Sequence, residues 1–111
     1  MQPTQKQIND FLKNATEKQK HYLLKHAINE KVIDEVLKHY DWKNATEEQK
    51  RDILIDATNE KVINEVLKHY DWENAADWQK RYILEYAKSE KVKQLAKKYV
   101  VDIYTYLINL K

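Results

Sequence analysis

The stretch that decides the fold is residues 41–70, DWKNATEEQKRDILIDATNEKVINEVLKHY. The chain writes it almost three times: residues 11–40 precede it in the same register and residues 71–100 follow. A period of thirty residues lies inside the range of about 20 to 50 that marks stacked repeat architectures, so the repeat is the structural unit. Thr46-Glu47-Glu48-Gln49 has the capping-box pattern, a hydroxyl able to accept from an orphan backbone N–H with a glutamine three residues on to answer it. A first helix therefore opens there, with Ile53, Leu54 and Ala57 at helical spacing on one face. Asn59 both tolerates the left-handed backbone that ends helices and caps the next one, so it is expected to close the first helix and open the second. In the second, Val62, Ile63, Val66, Leu67 and Tyr70 make a single stripe. The unit is an αα-hairpin, followed by a short loop that carries Trp72. One hairpin buries too little apolar surface to stand alone and must stack on its neighbours.

The other copies fill in the organisation. Residues 1–14 read as a truncated second helix, because Ile8-Asn9-Asp10-Phe11-Leu12-Lys13 matches Ile63-Asn64-Glu65-Val66-Leu67-Lys68. Repeat one spans 15–40, with helices expected over 16–28 and 30–40, repeat two spans 41–70 and repeat three 71–100. Repeat three departs most: Ala76 replaces the capping threonine, which leaves Asn74 or Asp77 to cap, and Lys93 and Lys97 stand where Ile63 and Leu67 stood. Its apolar stripe runs through Val92, Leu95, Ala96, Tyr99 and Val100 and on to Ile103, Leu107 and Leu110, which predicts one long terminal helix with 101–111 as a capping extension. A strand over the β-branched and aromatic residues 101–110 is the alternative. Across the copies, Leu24, Leu54 and Leu84, Ala27, Ala57 and Ala87, and Val32, Val62 and Val92 do not change, and they are the expected core.

The helix pairs resemble the α-solenoid repeat group, with its HEAT-like and tetratricopeptide-like units, over essentially the whole chain. The resemblance implies a right-handed α-solenoid of three hairpins with an N-terminal half-repeat, and families of this shape mostly bind proteins or peptides, a few nucleic acid. A thirty-residue unit is shorter than those families use, and the Trp, Gly and Pro signature of tetratricopeptides is missing. No functional residue carries over.

Composition removes several classes of function. The chain has no cysteine, hence no disulfide, thiolate metal site or cysteine nucleophile. It has no glycine, hence no glycine-rich phosphate loop. A balance of 20 Lys and Arg against 18 Asp and Glu, net +2, argues against a dedicated polyanion binder. No apolar run follows Met1 and no segment reaches the length of a membrane span, so a cytoplasmic protein is expected. His21 and His26 are five apart, off the helical register of a metal pair, and Ser89 is the one serine. No catalytic residue, metal or cofactor is assigned, and no enzyme activity is expected.

The positions of the first helix that change between copies carry the candidate site. They read Lys18, Tyr22, Lys25, His26, then Glu48, Asp52, Ile55, Asp56, then Trp78, Tyr82, Glu85, Tyr86, four per helix on one face. Stacked, they form one surface on which Trp78, Tyr82 and Tyr86 supply the aromatic anchors usual at protein interfaces. Glu85, Ile55, Tyr22 and His26 complete it, and Asp52 and Asp56 give it an acidic middle. The expected role is a protein-binding module or a small inhibitor of the immunity-protein type. Nucleic-acid binding through a row of Lys20, Lys50, Arg51, Lys80 and Arg81 is the second reading, although Glu47 with Arg51 and Asp77 with Arg81 stand at the spacing of helical ion pairs. Homodimerisation through the apolar residues 100–111 is the third. Asp41-Trp42 and Asp71-Trp72 recur once per unit and read as plugs between repeats, with the aspartate capping the following turn.

Overall fold

The computed structural model describes residues 2–100 and 107–110. These residues are all-helical, with no strand among them: α1 Gln5–Asn14, α2 Glu17–His26, α3 Glu30–His39, α4 Glu47–Asp56, α5 Glu60–His69, α6 Asp77–Tyr86 and α7 Glu90–Tyr99, with a further helical turn at 107–109. The helices begin where the capping residues stand. Thr4, Thr16 and Thr46 each accept the amide of the glutamine three residues on, at 3.1, 3.1 and 3.0 Å, while that glutamine accepts the threonine amide at 2.9 Å. Asn29 and Asn59 each accept two amides of the helix that follows. Ala76 has no side chain to offer, and α6 retains only half the box, the Ala76 amide donating to Gln79 Oε1 at 2.8 Å. Neither Asn74 nor Asp77 takes over the cap; Asn74 instead donates its amide to the Asp71 carboxylate.

The helices end differently from the expectation placed on Asn59. No described residue has a positive φ. The first helix of each repeat stops at residue 26, 56 or 86, and the alanine that follows is extended, its amide still bonded to the carbonyl four back at 2.8 to 2.9 Å. Asn59 is also extended, at φ −79° and ψ 127°. A three-residue joint, extended at its first and third residues, thus reverses the chain with no left-handed residue, which suits a sequence without glycine. Ile28 lies in such a joint rather than in α2, and it is exposed. The single long terminal helix is likewise overturned: α7 stops at Tyr99 and Val100 is extended, the same ending as at Tyr40 and Tyr70. Of the rest of that stripe, Ile103 lies within 101–106, outside the described residues, whereas Leu107 lies in the helical turn at 107–109 and Leu110 just after it.

α2 packs on α3, α4 on α5 and α6 on α7, while α2 touches α4, α4 touches α6, α1 touches α3 and α3 touches α5. First helices therefore neighbour first helices, and α1 joins the row of second helices, as its sequence match to α5 requires. These contacts are compatible with a stack of hairpins. The body measures 64 × 27 × 17 Å with a radius of gyration of 16.6 Å, above the about 13 Å of a globule of this length.

Core burial peaks in the middle. Ile53, Leu54, Ala57, Val62, Ile63 and Val66 are fully buried, each large side chain contributing about 2 kcal/mol. In the outer repeats some of the repeated positions open: Ala27, Val32 and Leu84 are only half-buried, while Leu24, Ala87 and Val92 stay buried. The tryptophans are plugs between repeats. Trp42 meets Tyr40 edge-on and lies flat on His69, centroids 4.8 Å apart and planes 2° from parallel. Trp72 repeats the arrangement between Tyr70 and Tyr99, at 5.0 Å and 6°. Asp41 and Asp71 close the loops, and the Asn44 and Asn74 side-chain hydrogen bonds hold their carboxyls below the ordinary range.

Candidate protein-binding face

The two rows of helices treat their outward polar residues differently. On the second-helix row a ladder repeats down the body: Asn29 donates to Gln2, Lys61 reaches back to Glu30 and Asp34 at 3.2 and 3.0 Å, and Lys91 reaches back to Glu60 and Asn64 at 3.3 and 2.5 Å. The Lys61 and Lys91 rungs use the same repeat positions, so this side is occupied with joining neighbours. Lys61 shows the consequence, its pKa raised first by the Asp34 bond and then by Glu30.

The first-helix row carries the residues that vary. A groove of about 500 Å³ runs over α4 with Asp52, Ile55, Trp78 and Tyr82 in its wall, together with His21, Glu48 and Arg51. Four of the nine residues expected at the partner surface thus meet in one concavity. Trp78, Tyr82 and Tyr86 are 61, 47 and 54 % exposed, large fractions for aromatic rings, and Tyr82 and Tyr86 lean on each other at 4.7 Å. Arg51 sits over the Trp78 ring, 5.5 Å from its centroid, a cation–π contact that braces the indole from below. Glu85 is exposed beside them on α6. Tyr22 and His26 pair with each other at 4.6 Å on α2, where Tyr22 lines a separate apolar depression with Phe11 and Leu23 rather than the groove.

The acidic middle does not exist as free charge. Lys25 of α2 bridges Asp52 and Asp56 at 2.8 Å each, His21 Nε2 donates to Asp52 at 2.7 Å, and Lys88 stands 3.6 Å from Asp56. Burial alone would raise the Asp52 carboxyl, but hydrogen bonds from Lys25 and His21 outweigh it and hold its pKa below the ordinary value. The same bonds, Asp52 first and Asp56 second, hold Lys25 above its own. These aspartates therefore tie α2 to α4, and the groove is closer to neutral than its sequence suggests. The His21 contribution is invisible to a comparison of varying outward positions, because residue 21 faces the seam: its Nδ1 lies 3.4 Å from the Tyr40 hydroxyl.

The basic row is also redirected. Lys20 and Lys50 point inwards, each 2.7 Å from the glutamate of its own first turn and 3.2 Å from the carbonyl of residue 39 or 69. There the cation satisfies a free carbonyl at the negative end of α3 or α5. The glutamate's other oxygen accepts the amide of Asp41 or Asp71 at 3.0 Å, so one ion pair fastens a helix end and its loop. Glu47 consequently serves Lys50 and the loop, not Arg51. Arg81 pairs with Asp77 at 2.6 Å, and Lys80 is half-buried. Lys20 and Lys50, expected in the nucleic-acid row, are thus engaged within the chain.

Among the described residues no cluster of three or more His, Asp or Glu could hold a metal ion, and no helix is long and apolar enough to cross a membrane. His39 and His69 stand near Glu35 and Glu65 at 3.7 and 3.5 Å at helix C-termini. Leu107, Ile108 and Leu110 are exposed; the rest of the segment expected to mediate homodimerisation, residues 101–106 and 111, lies outside the described residues. Compared with known proteins, the chain matches no family model, no curated protein and no solved structure.

Proposed function

We propose that the chain is a right-handed α-solenoid of three αα-hairpins with an N-terminal half-repeat, acting as a non-enzymatic protein-binding module or small inhibitor that occludes a partner's surface. Its contact face is the first-helix row, centred on the α4 groove and the α6 aromatics. One observation carries this reading: where α4 places Asp52 and Asp56, already bridged to Lys25, α6 places Tyr82 and Tyr86, exposed and beside Trp78. Rigid aromatic rings lose little entropy on burial and are the usual hot spots of interfaces. The second-helix row, filled by its ladder, is left as scaffold.

The test begins with a pull-down from the native host and identification of the captured protein by mass spectrometry. Titration calorimetry on the purified pair then compares the chain with its Tyr82→Ala, Tyr86→Ala double variant. A loss of about 30-fold or more in affinity, corresponding to at least one hot spot of about 2 kcal/mol, with unchanged helical circular dichroism, is expected; unchanged affinity retires the face. Exposed Leu107, Ile108 and Leu110 favour one second reading, self-association through the C-terminal segment. Light scattering on the full chain and on a chain ended at Tyr99 decides it: a dimer that becomes a monomer supports that reading, and a monomer in both cases removes it.

A further inference from the structure

The plug that recurs between repeats is missing at one place, and the place is open. Trp42 lies on His69 and Trp72 on Tyr99, so the equivalent site for an indole above His39 would be filled by the loop after α1. That loop has been cut. Six residues separate the end of α3 at His39 from the cap Thr46, whereas Ala15 alone separates the end of α1 at Asn14 from the cap Thr16.

The site itself remains. A groove of about 520 Å³ is lined by Asn9, Leu12, Lys13, Lys20, Glu35 and His39. Lys20, Glu35 and His39 recur one repeat on as Lys50, Glu65 and His69, and Leu12 and Lys13 recur as Leu37 and Lys38 when α1 and α3 are aligned at their caps. The shared side chains already hold the same geometry in both places: the lysine sits 3.2 Å from the carbonyl of residue 39 or 69, and the histidine lies near its glutamate. What differs is the cover, the His39 side chain being 56 % exposed and the His69 side chain 36 %. In the filled sites neither indole N–H has a protein acceptor among the described residues, so stacking and area rather than a hydrogen bond hold the ring.

We infer that the groove above His39 is a preformed receptor for a tryptophan side chain supplied by a partner polypeptide, seated as Trp42 is seated on His69. The occupant is argued from the molecule itself, which twice shows a tryptophan on an extended loop as the group that completes this constellation. The site lies at the loop edge of α1 and α3, apart from the α6 aromatics, so it stands or falls independently of the first-helix face.

The probe is a synthetic peptide with the sequence of residues 40–45, Tyr-Asp-Trp-Lys-Asn-Ala, titrated into the full-length chain while the histidine ring protons are followed by NMR. His39 is expected to move upfield under the ring current and His69 to stay in place, while the peptide with alanine for tryptophan moves neither. A second variant carries a copy of residues 40–44 inserted after Asn14, which restores the missing loop. Its His39 signals are expected upfield without peptide, and peptide addition is expected to shift them no further. A His39 that does not respond to millimolar peptide, or that responds equally in the insertion variant, overturns the inference. So does a His39 shift that depends on protein concentration without peptide, which would make a second copy of the chain the occupant.

Discussion

The middle hairpin, α4 with α5, and the last, α6 with α7, share a template and spend it differently. In the middle, Thr46 completes a capping box, Glu47 and Lys50 fasten the end of α5 and its loop, and Asp52 and Asp56 are bridged to the preceding repeat. In the last, the cap is an alanine, the glutamate has become Asp77 paired with Arg81, and the two aspartates have become exposed tyrosines. A repeat flanked on both sides uses its polar positions as joints. A repeat near the end of the row has fewer joints to make, and the positions so released carry exposed aromatic rings.

The sharpest way to break this contrast is in the core. Leu54→Ala is expected to cost about 2 to 5 kcal/mol and Leu84→Ala visibly less, since Leu54 is fully buried and Leu84 half-buried; urea denaturation of both variants checks it, and equal losses would mean the two hairpins are packed alike. The next effect concerns the fastening. Lys50→Ala leaves a helix-end carbonyl and Glu47 without their cation, at a cost of about 1 to 3 kcal/mol, while Lys80→Ala, whose neighbouring acid is spoken for by Arg81, is expected to cost less in the same assay. Third, Ala76→Thr restores the box that Gln79 already half forms, and a gain of about 1 kcal/mol in thermal denaturation is expected, where Thr46→Ala should lose as much.

The smallest effect is on pH. Because the Asp52 carboxyl is held below its unfolded value, its contribution is present above about pH 4, the ordinary carboxylate range, and is lost as pH falls through the depressed value. Asp52→Asn is expected to lower stability at neutral pH and to flatten the acid limb, the two curves converging at low pH where Asp52 is protonated. A variant curve parallel to that of the unsubstituted chain at low pH would show that Asp52 does not link α2 to α4.

How much of this was legible in the residues follows the same division. Capping boxes at Thr16 and Thr46, the stripe Val62, Ile63, Val66, and Trp42 and Trp72 as plugs are local or periodic, and the spacing alone exposes them. The joint at Ala57 to Asn59 is not legible in this way, because an asparagine fits either a left-handed ending or an N-cap, and only the backbone tells which. The candidate face was legible as a set of varying positions, yet its charge was not. Lys25 and Asp52 are distant in sequence and meet only when α2 lies beside α4, and Lys20 and Lys50 look free until the carbonyls of His39 and His69 are placed above them.

The extended joints have a consequence for how such a chain can grow. Every described corner is turned by backbone that any L-amino acid adopts, so no position must wait for a special residue before the unit can be copied. An in-frame duplication of residues 41–70 would bring its own Trp42 to lie on its own His69, and its own Glu47 and Lys50 for the end of its second helix and the loop that follows. The gene can lengthen the rod by recombination alone, and point mutation is then free to rewrite the outer face of whichever copy comes last.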